Sequence, residues 1–282
     1  MKITIIIPVY NEQAHIEHML GSLVGQTIKP SQVIIVDDNS TDNTPSIIKK
    51  YVDTYPWITT VNTHKTSKHS PGAKVIEAFY KGYEKCDLDA QLIGKFDADI
   101  ILPSNYLEKM VAIFASDNLV GMASGNLYIK KRDAWIFENI SQKTKVRGPI
   151  KLYKKECFEA IGGLKKSIGW DTVDGLLAAF HGWKTKTDPL LHVKHLKATG
   201  NAYTSGAKHK QGEAFYKMRY SKTLTRIAAL KLAVSKKDPL FYLHCMQGYI
   251  ISKKQKQPFI VSKQEGEFIR NFRWKAIKKK IL

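Results

Sequence analysis

This chain is poor in the features that staple a fold, span a membrane or cradle a phosphate. Its 282 residues include only three cysteines, Cys86, Cys157 and Cys245, set far apart. Without a Cys-x-x-Cys pair, neither a disulfide framework nor a zinc site is expected, and a reducing compartment fits best. No apolar run approaches the roughly 20 residues that a membrane-spanning helix needs. The start looks superficially like a signal peptide, because Lys2 precedes an apolar run. Pro8 breaks that run, Asn11 and Glu12 follow at once, and no small-residue cleavage site is present, so a buried first strand is expected. No Gly-x-Gly-x-x-Gly follows Tyr10 and no P-loop occurs, which excludes a glycine turn against a dinucleotide. Acid is scarce as well: 25 Asp and Glu stand against 45 Lys and Arg, a formal net charge of +20. Such a field attracts nucleic acid, anionic lipid or phosphorylated small molecules, and charge alone does not choose among them.

What is present is an alternation of buried strands and amphipathic helices. Residues 2–10 read as a strand apolar on both faces, as in a parallel sheet covered by helices. Asn11-Glu12 is expected to open a helix with His15, Ile16, Met19, Leu20 and Leu23 at helical spacing. Residues 32–36 predict a second buried strand, followed by the polar run 37–44, rich in N-cap residues, and a helix over 45–55. A third strand over 59–62, a helix over 75–86 and a fourth strand over 91–96 complete the series. This order predicts βαβ units in a right-handed, doubly wound α/β sheet. Ligands of such sheets bind outside the carboxyl ends of the strands. Tyr10 and Glu12, Asp37 and Asp38, and Asp97 and Asp99 all fall there.

Asp97 and Asp99, spaced i, i+2 with little positive charge expected beside them, should raise each other's pKa unless a cation sits between them. Hard oxygen ligands of this kind suit Mg²⁺ or Mn²⁺, which in turn suit a diphosphate. Three motifs now stand in order: Ile-Ile-Pro-Val-Tyr-Asn-Glu, Val-Asp-Asp-Asn-Ser-Thr-Asp-Asn-Thr and Phe-Asp-Ala-Asp. Together they resemble the family 2 glycosyltransferases of GT-A fold, of bacterial polysaccharide and glycolipid type, over about residues 1–200. The resemblance implies a Rossmann-like, doubly wound mixed sheet and a nucleotide-sugar site, with a UDP-sugar favoured as donor. Pro8, Tyr10 and Glu12 would line the base and ribose pocket, and Asp38 would meet the base or ribose. Asp97 would face the ribose or the metal, and Asp99 would hold a divalent cation, Mn²⁺ or Mg²⁺, against the diphosphate. Residues 70–74 match a loop near the nucleotide, with Lys74 either a nucleotide contact or a solvated lysine at a helix start. His195 matches the histidine that completes the metal shell, with His192 as the alternative.

The second half carries the acceptor side of the resemblance. A helix over 104–114 and a strand over 120–128 precede a basic, aromatic segment, 129–146, without a sharp signal. Gly148, in a loop entering the strand near 150–153, would support the donor sugar and the acceptor. A short helix over 156–161 ends at Gly162-Gly163. The run from Gly169 to Trp183 looks like the family's acceptor motif, in which an acid starts a helix that ends in Gly-aromatic. Inverting transfer needs a base for the acceptor hydroxyl. Asp171 falls on the family's catalytic aspartate, although Trp170 replaces the usual preceding glutamate. Asp174, one turn on, is the rival, and either could be a helix cap. Trp170 would stack on a sugar or anchor the core.

From about Ser221 basic residues dominate, and the only acids are Asp238, Glu265 and Glu267. Residues 268–282 read as a basic helix with aromatics, suited to lie on anionic lipid or to cap the catalytic domain. The expected organisation is a catalytic domain over 1–220, divided into a nucleotide-sugar half (1–102) and an acceptor half (103–220), then a basic amphipathic helical tail over 221–282. A cytoplasmic enzyme, peripheral on the inner membrane face and acting on a glycan or lipid-linked acceptor, follows from the resemblance. Two other classes compete. A nucleic-acid-binding protein would use the +20 charge but leaves the acidic rim unexplained. A nucleotidyltransferase would want a Gly-rich basic loop near the N-terminus, where this chain has Asn11-Glu12.

Overall fold

The computed structural model describes residues 1–63, 74–140, 142–198 and 209–281. These fall into two compact units, one of residues 1–63, 74–140, 142–164 and 181–198, the other of residues 165–180 and 209–281.

The first unit is built on one mixed sheet. Strands β1 (Ile3–Val9), β2 (Gln32–Asp37), β3 (Ile58–Asn62) and β4 (Leu92–Phe96) run parallel in the order β3-β2-β1-β4. Helices α1 (Ile16–Val24), α2 (Thr44–Thr54) and α3 (Lys74–Tyr83) connect them. The doubly wound half expected from the strand–helix alternation is therefore present. Alternate residues of β1 serve opposite faces. Ile5 and Ile7 join Met19, Leu20 and Leu23 of α1 in one core cluster. On the other face, a Cβ added at Gly82 of α3 would lie 2.6 Å from Ile6 and 2.8 Å from Val36, so α3 needs a glycine to lie this close to the sheet.

The sheet continues through β8 (Ile150–Lys154), antiparallel to β4, then β6 (Val120–Lys131) and β9 (Lys184–His195), which run parallel to each other. The two-residue strand β5 (Ile100–Ile101) closes the edge by pairing antiparallel with β9, Ile100 opposite His195. Helix α4 (Tyr106–Ser116) ties this half together: the buried Tyr106 hydroxyl donates to the Ile150 carbonyl at 2.8 Å and accepts from the Gly125 N–H at 3.2 Å. The segment that gave no sharp signal holds β7 (Ala134–Phe137), a hairpin partner of β6. A second difference lies after β1. Asn11 takes a left-handed φ of 52°, with its Oδ1 accepting from the Thr41 N–H at 2.8 Å. That turn stitches the loop to the one after β2, and the helix starts only at Ile16. Helix α5 (Lys155–Ala160) stops at Gly162 and Gly163, both at positive φ, as the paired glycines predict.

The second unit is helical: α6 (Trp170–Phe180), α7 (Lys210–Lys217), α8 (Lys222–Lys236), α9 (Pro239–Lys254) and α10 (Lys263–Ile281). Ser221 caps α8 and Asp238 caps α9, each accepting a backbone N–H three residues on. Helices α7 and α9 approach at glycines. A Cβ on Gly212 would sit 1.7 Å from the Cys245 carbonyl oxygen, and one on Gly248 would sit 2.0 Å from that of His209. Backbone cannot step aside as a side chain can. Gly212→Ala should therefore destabilise the unit by about 3 kcal/mol or more, read as a lowered Tm. Gly175→Ala, with nothing within 4 Å of its added Cβ, should leave Tm unchanged or slightly raised.

Candidate active site

The carboxyl ends of the parallel strands carry the site. Val9, Asp37 and Phe96 end β1, β2 and β4, and the polar residues just beyond them share one rim. Asp37 is buried and inward: its Oδ1 accepts from the Ser40 N–H (3.0 Å) and Oγ (2.6 Å), so it shapes the loop. Asp38 accepts from the Thr63 hydroxyl at 2.5 Å, while its own N–H donates to the Val9 carbonyl. Pro8 lies in β1 opposite Val36, and Tyr10 stands exposed just after the strand. Lys74 is the first residue of α3. Residues 70–73 of the loop matched to the nucleotide lie outside the described residues, as do Thr199 and Gly200 of the motif around His195.

Asp97, Asp99 and His195 meet. One ligand atom from each lies within 4.8 Å of the others. The means is β5: Ile100 pairs with His195, and the Leu196 N–H, just after β9, donates to the Asp99 carbonyl (2.8 Å), so that β9 lies beside the Asp-x-Asp turn. The His195 Nε2 lies 3.6 Å from Asp99 Oδ1, and its Nδ1 lies 3.3 Å from Glu138 Oε2. Glu138 is buried and in turn accepts from Arg147 at 2.8 Å, also buried. His192, three residues earlier on β9, is exposed on the opposite face of the strand, its ring tilted against Tyr128 with centroids 4.1 Å apart.

The charge balance differs from the expected pair of mutually repelling carboxylates. Lys95, almost wholly buried, contacts Asp97. Asp99 feels His195 and Lys197: burial pushes its pKa up, but these cations outweigh it and hold the carboxyl below its ordinary value. Burial would lower the His195 pKa, yet its contacts with Asp99 and Glu138 raise it to about 9. At neutral pH the imidazole is thus a cation shared by two carboxylates, and it must release that proton to act as a metal ligand. Lys197 also grips Glu12, reaching both carboxylate oxygens at 2.7 Å. The Glu12 pKa is nonetheless raised, chiefly by burial, with Lys197 lowering it and Asp99 raising it. Two carboxylates and one imidazole at this spacing form a donor set suited to Mn²⁺ or Mg²⁺.

The acceptor-side residues divide. Gly148 is buried beside Arg147, before β8, and is not among the glycines at positive φ. In the second unit Trp170 opens α6 and is mostly buried. Asp171 is half-buried in the first turn, whereas Asp174 is wholly buried and its Oδ1 accepts from the Gly175 N–H at 2.6 Å. Sequence reasoning missed Lys95, Glu138, Arg147 and Lys197. An acid directly after the apolar run Ala134–Phe137, Glu138, was the one available hint.

Residues 4–164 match the family described as glycosyl transferase family 2. The chain belongs to that family. Among its relatives is an uncharacterised glycosyltransferase of Mycoplasma pneumoniae, 29% identical over 177 residues, 58% of this chain and 57% of that one. A dolichol-phosphate mannosyltransferase of Pyrococcus furiosus is 25% identical over 218 residues, 73% of this chain and 57% of that one. The chain spans about half the length of the curated relatives it matches. The fold of this family 2 chain is similar to the mannosyltransferase PcManGT of Pyrobaculum calidifontis in complex with GDP-Man and Mn²⁺. The TM-score is 0.59 and the identity 17%, covering 98% of this chain and 80% of that one. S. aureus TarS 1–349 in complex with UDP-GlcNAc gives 0.58 and 18%, covering 78% of this chain and 65% of that one. These likenesses establish the GT-A fold, mixed sheet and C-terminal helices included.

Proposed function

We propose that this family 2 chain is an inverting, metal-dependent glycosyltransferase that moves a sugar from a nucleotide-diphosphate sugar to a glycan or lipid-linked acceptor. The observation that carries the proposal is the convergence of Asp97, Asp99 and His195 at the strand rim. Asp99 and His195 hold the divalent cation, and Asp97 holds the cation or the ribose. The cation, when bound, supplies Lewis-acid stabilisation of the negative charge on the departing diphosphate. Pro8, Tyr10, Glu12 and Asp38 line the base and ribose pocket, and Lys74 contacts the nucleotide. Asp171 takes the proton of the acceptor hydroxyl. The freed oxygen bonds to the anomeric carbon from the face opposite the diphosphate, whose bond to that carbon breaks, so the configuration inverts. Gly148 and Trp170 face the sugar and acceptor. A UDP-sugar is favoured, since complexes of the structural neighbours include UDP-GlcNAc and UDP with GalNAc and Mn²⁺, although GDP-Man also occurs. Residues 1–220 carry the catalytic function and 221–282 serve as a basic tail, in a protein seated peripherally on the inner membrane face. This functional division cuts across the helical unit, to which 165–180 and 209–220 also belong.

Glu138 and Arg147 serve this site from behind. A carboxylate on the far nitrogen of a ligating histidine fixes its ring and raises its basicity. Glu138→Gln should weaken Mn²⁺ binding about 10–100-fold, measured by the loss of the free-ion EPR signal, with circular dichroism reporting the folded state. The whole reading is tested by incubating UDP-, GDP- and dTDP-sugars with the protein and Mn²⁺. Slow release of one nucleotide, absent with chelator, is the expected result. No turnover of any donor, with tight, salt-sensitive binding to DNA, would instead favour the nucleic-acid reading that the +20 charge suggests.

A further inference from the structure

The second unit turns an apolar stripe to solvent. On α9, Leu240, Leu243, Gln247, Ile250 and Lys254 recur at helical spacing along one face. Leu240 and Leu243 are each 59% exposed and Ile250 is 43% exposed, while the other side of the helix, including Cys245, Tyr249 and Ser252, is buried. The stripe ends in a cavity of about 410 Å³ lined by Lys222, Tyr249, Ile250, Lys253 and Lys254. Three lysines thus converge on one cavity with no acid in its lining. Between residues 222 and 256 there are eight Lys and Arg and a single acid, Asp238.

Exposed leucines running into a lysine cavity are the pattern of an interfacial helix, with an apolar face for the acyl boundary and cations for the headgroups. Helix α10 offers less, because Phe268 packs at 5.5 Å on Phe180 and Ile269 is fully buried. A second copy of the chain docking here would bring lysines against lysines, and a nucleic acid would leave the leucines without a role. We propose that the outer face of α9, with the Lys222, Lys253 and Lys254 cavity, docks on an anionic phospholipid surface, the lysines taking a headgroup phosphate. The proposal deepens the membrane setting of the transferase reading and rests on it for that setting alone.

The test is flotation of the full chain with vesicles of phosphatidylglycerol in phosphatidylcholine and of phosphatidylcholine alone, without donor or metal. Failure here therefore leaves the transferase reading untouched. Binding to the anionic vesicles only is expected. Replacing all three cavity lysines by glutamine should lower partitioning on the order of 100-fold. Leu240→Ser with Leu243→Ser, both at exposed positions that leave folding intact, should lower it about tenfold or more. Lys278→Gln with Lys279→Gln on α10 should change it several-fold less than the cavity variants. Equal binding to neutral vesicles, unchanged binding by both α9 sets, or a loss that follows the α10 pair instead would overturn the proposal. So would a dimer in light scattering that Leu243→Ser dissolves while no vesicle binding is seen.

Discussion

Asp171→Asn is expected to lower sugar transfer by about 10²–10⁴-fold, the range that a positioned general base contributes, while nucleotide and Mn²⁺ affinities stay within about twofold. An amide cannot accept the acceptor's proton, yet it keeps the size and most hydrogen bonds of the carboxylate it replaces. The two aspartates of α6 separate by burial. A base must touch the acceptor hydroxyl, and Asp171 is half-buried in the first turn of the helix, whereas Asp174 is wholly buried and engaged with the Gly175 N–H. Asp174→Asn should therefore show itself mainly as a lower Tm, with transfer per folded molecule largely kept. Steady-state transfer and thermal unfolding, run on both variants, separate the roles. Full activity in Asp171→Asn beside a folded but inactive Asp174→Asn would reverse the assignment.

Asp99→Ala is expected to abolish metal-dependent nucleotide release, by about 10³-fold or more, the scale of losing a group that stabilises developing charge. Asp99 is mostly buried and sits against His195 and near Lys197. Its removal takes away a ligand and also leaves the His195–Glu138–Arg147 chain without its outermost carboxylate. The loss should not be recovered by raising Mn²⁺ to millimolar levels, because two of the three donor groups cannot hold the cation in place. Asp133→Ala, which replaces a turn aspartate between β6 and β7, should leave release unchanged and serves as the comparison. Release by Asp99→Ala at the wild-type rate would remove the Asp-x-Asp turn from the chemistry.

The parts of this protein that could be read in its sequence are those set by local pattern. β1, β2 and β4 are short runs apolar on both faces, and only a sheet covered on both sides accommodates them. Asp97 and Asp99 were visible because they interrupt such a run at its carboxyl end, and His195 because the family motif reaches it. The supporting shell was not visible, for it is made by pairings distant in sequence. Glu138 reaches His195 only because β7 folds back on β6 and β6 lies parallel to β9. Lys95 was absorbed into the strand expected over 91–96, yet it is the buried cation beside Asp97. The start of α1 was placed too early because Asn11-Glu12 has the composition of a helix N-terminus, while the cross-loop bond to Thr41 holds Asn11 in a turn. The glycine crossing of α7 and α9 joins residues more than thirty apart, beyond the reach of any local window.

The central claim, a divalent cation held by Asp97, Asp99 and His195 and shared with a nucleoside diphosphate, is tested most directly by Mn²⁺ titration with and without UDP, followed by EPR. UDP should tighten Mn²⁺ binding in the wild type by tenfold or more, the same linkage seen as tighter UDP binding in the presence of Mn²⁺. Asp99→Ala should lose both the binding and the linkage. Mn²⁺ that binds equally well with or without any nucleoside diphosphate, and equally well to Asp99→Ala, would contradict the account.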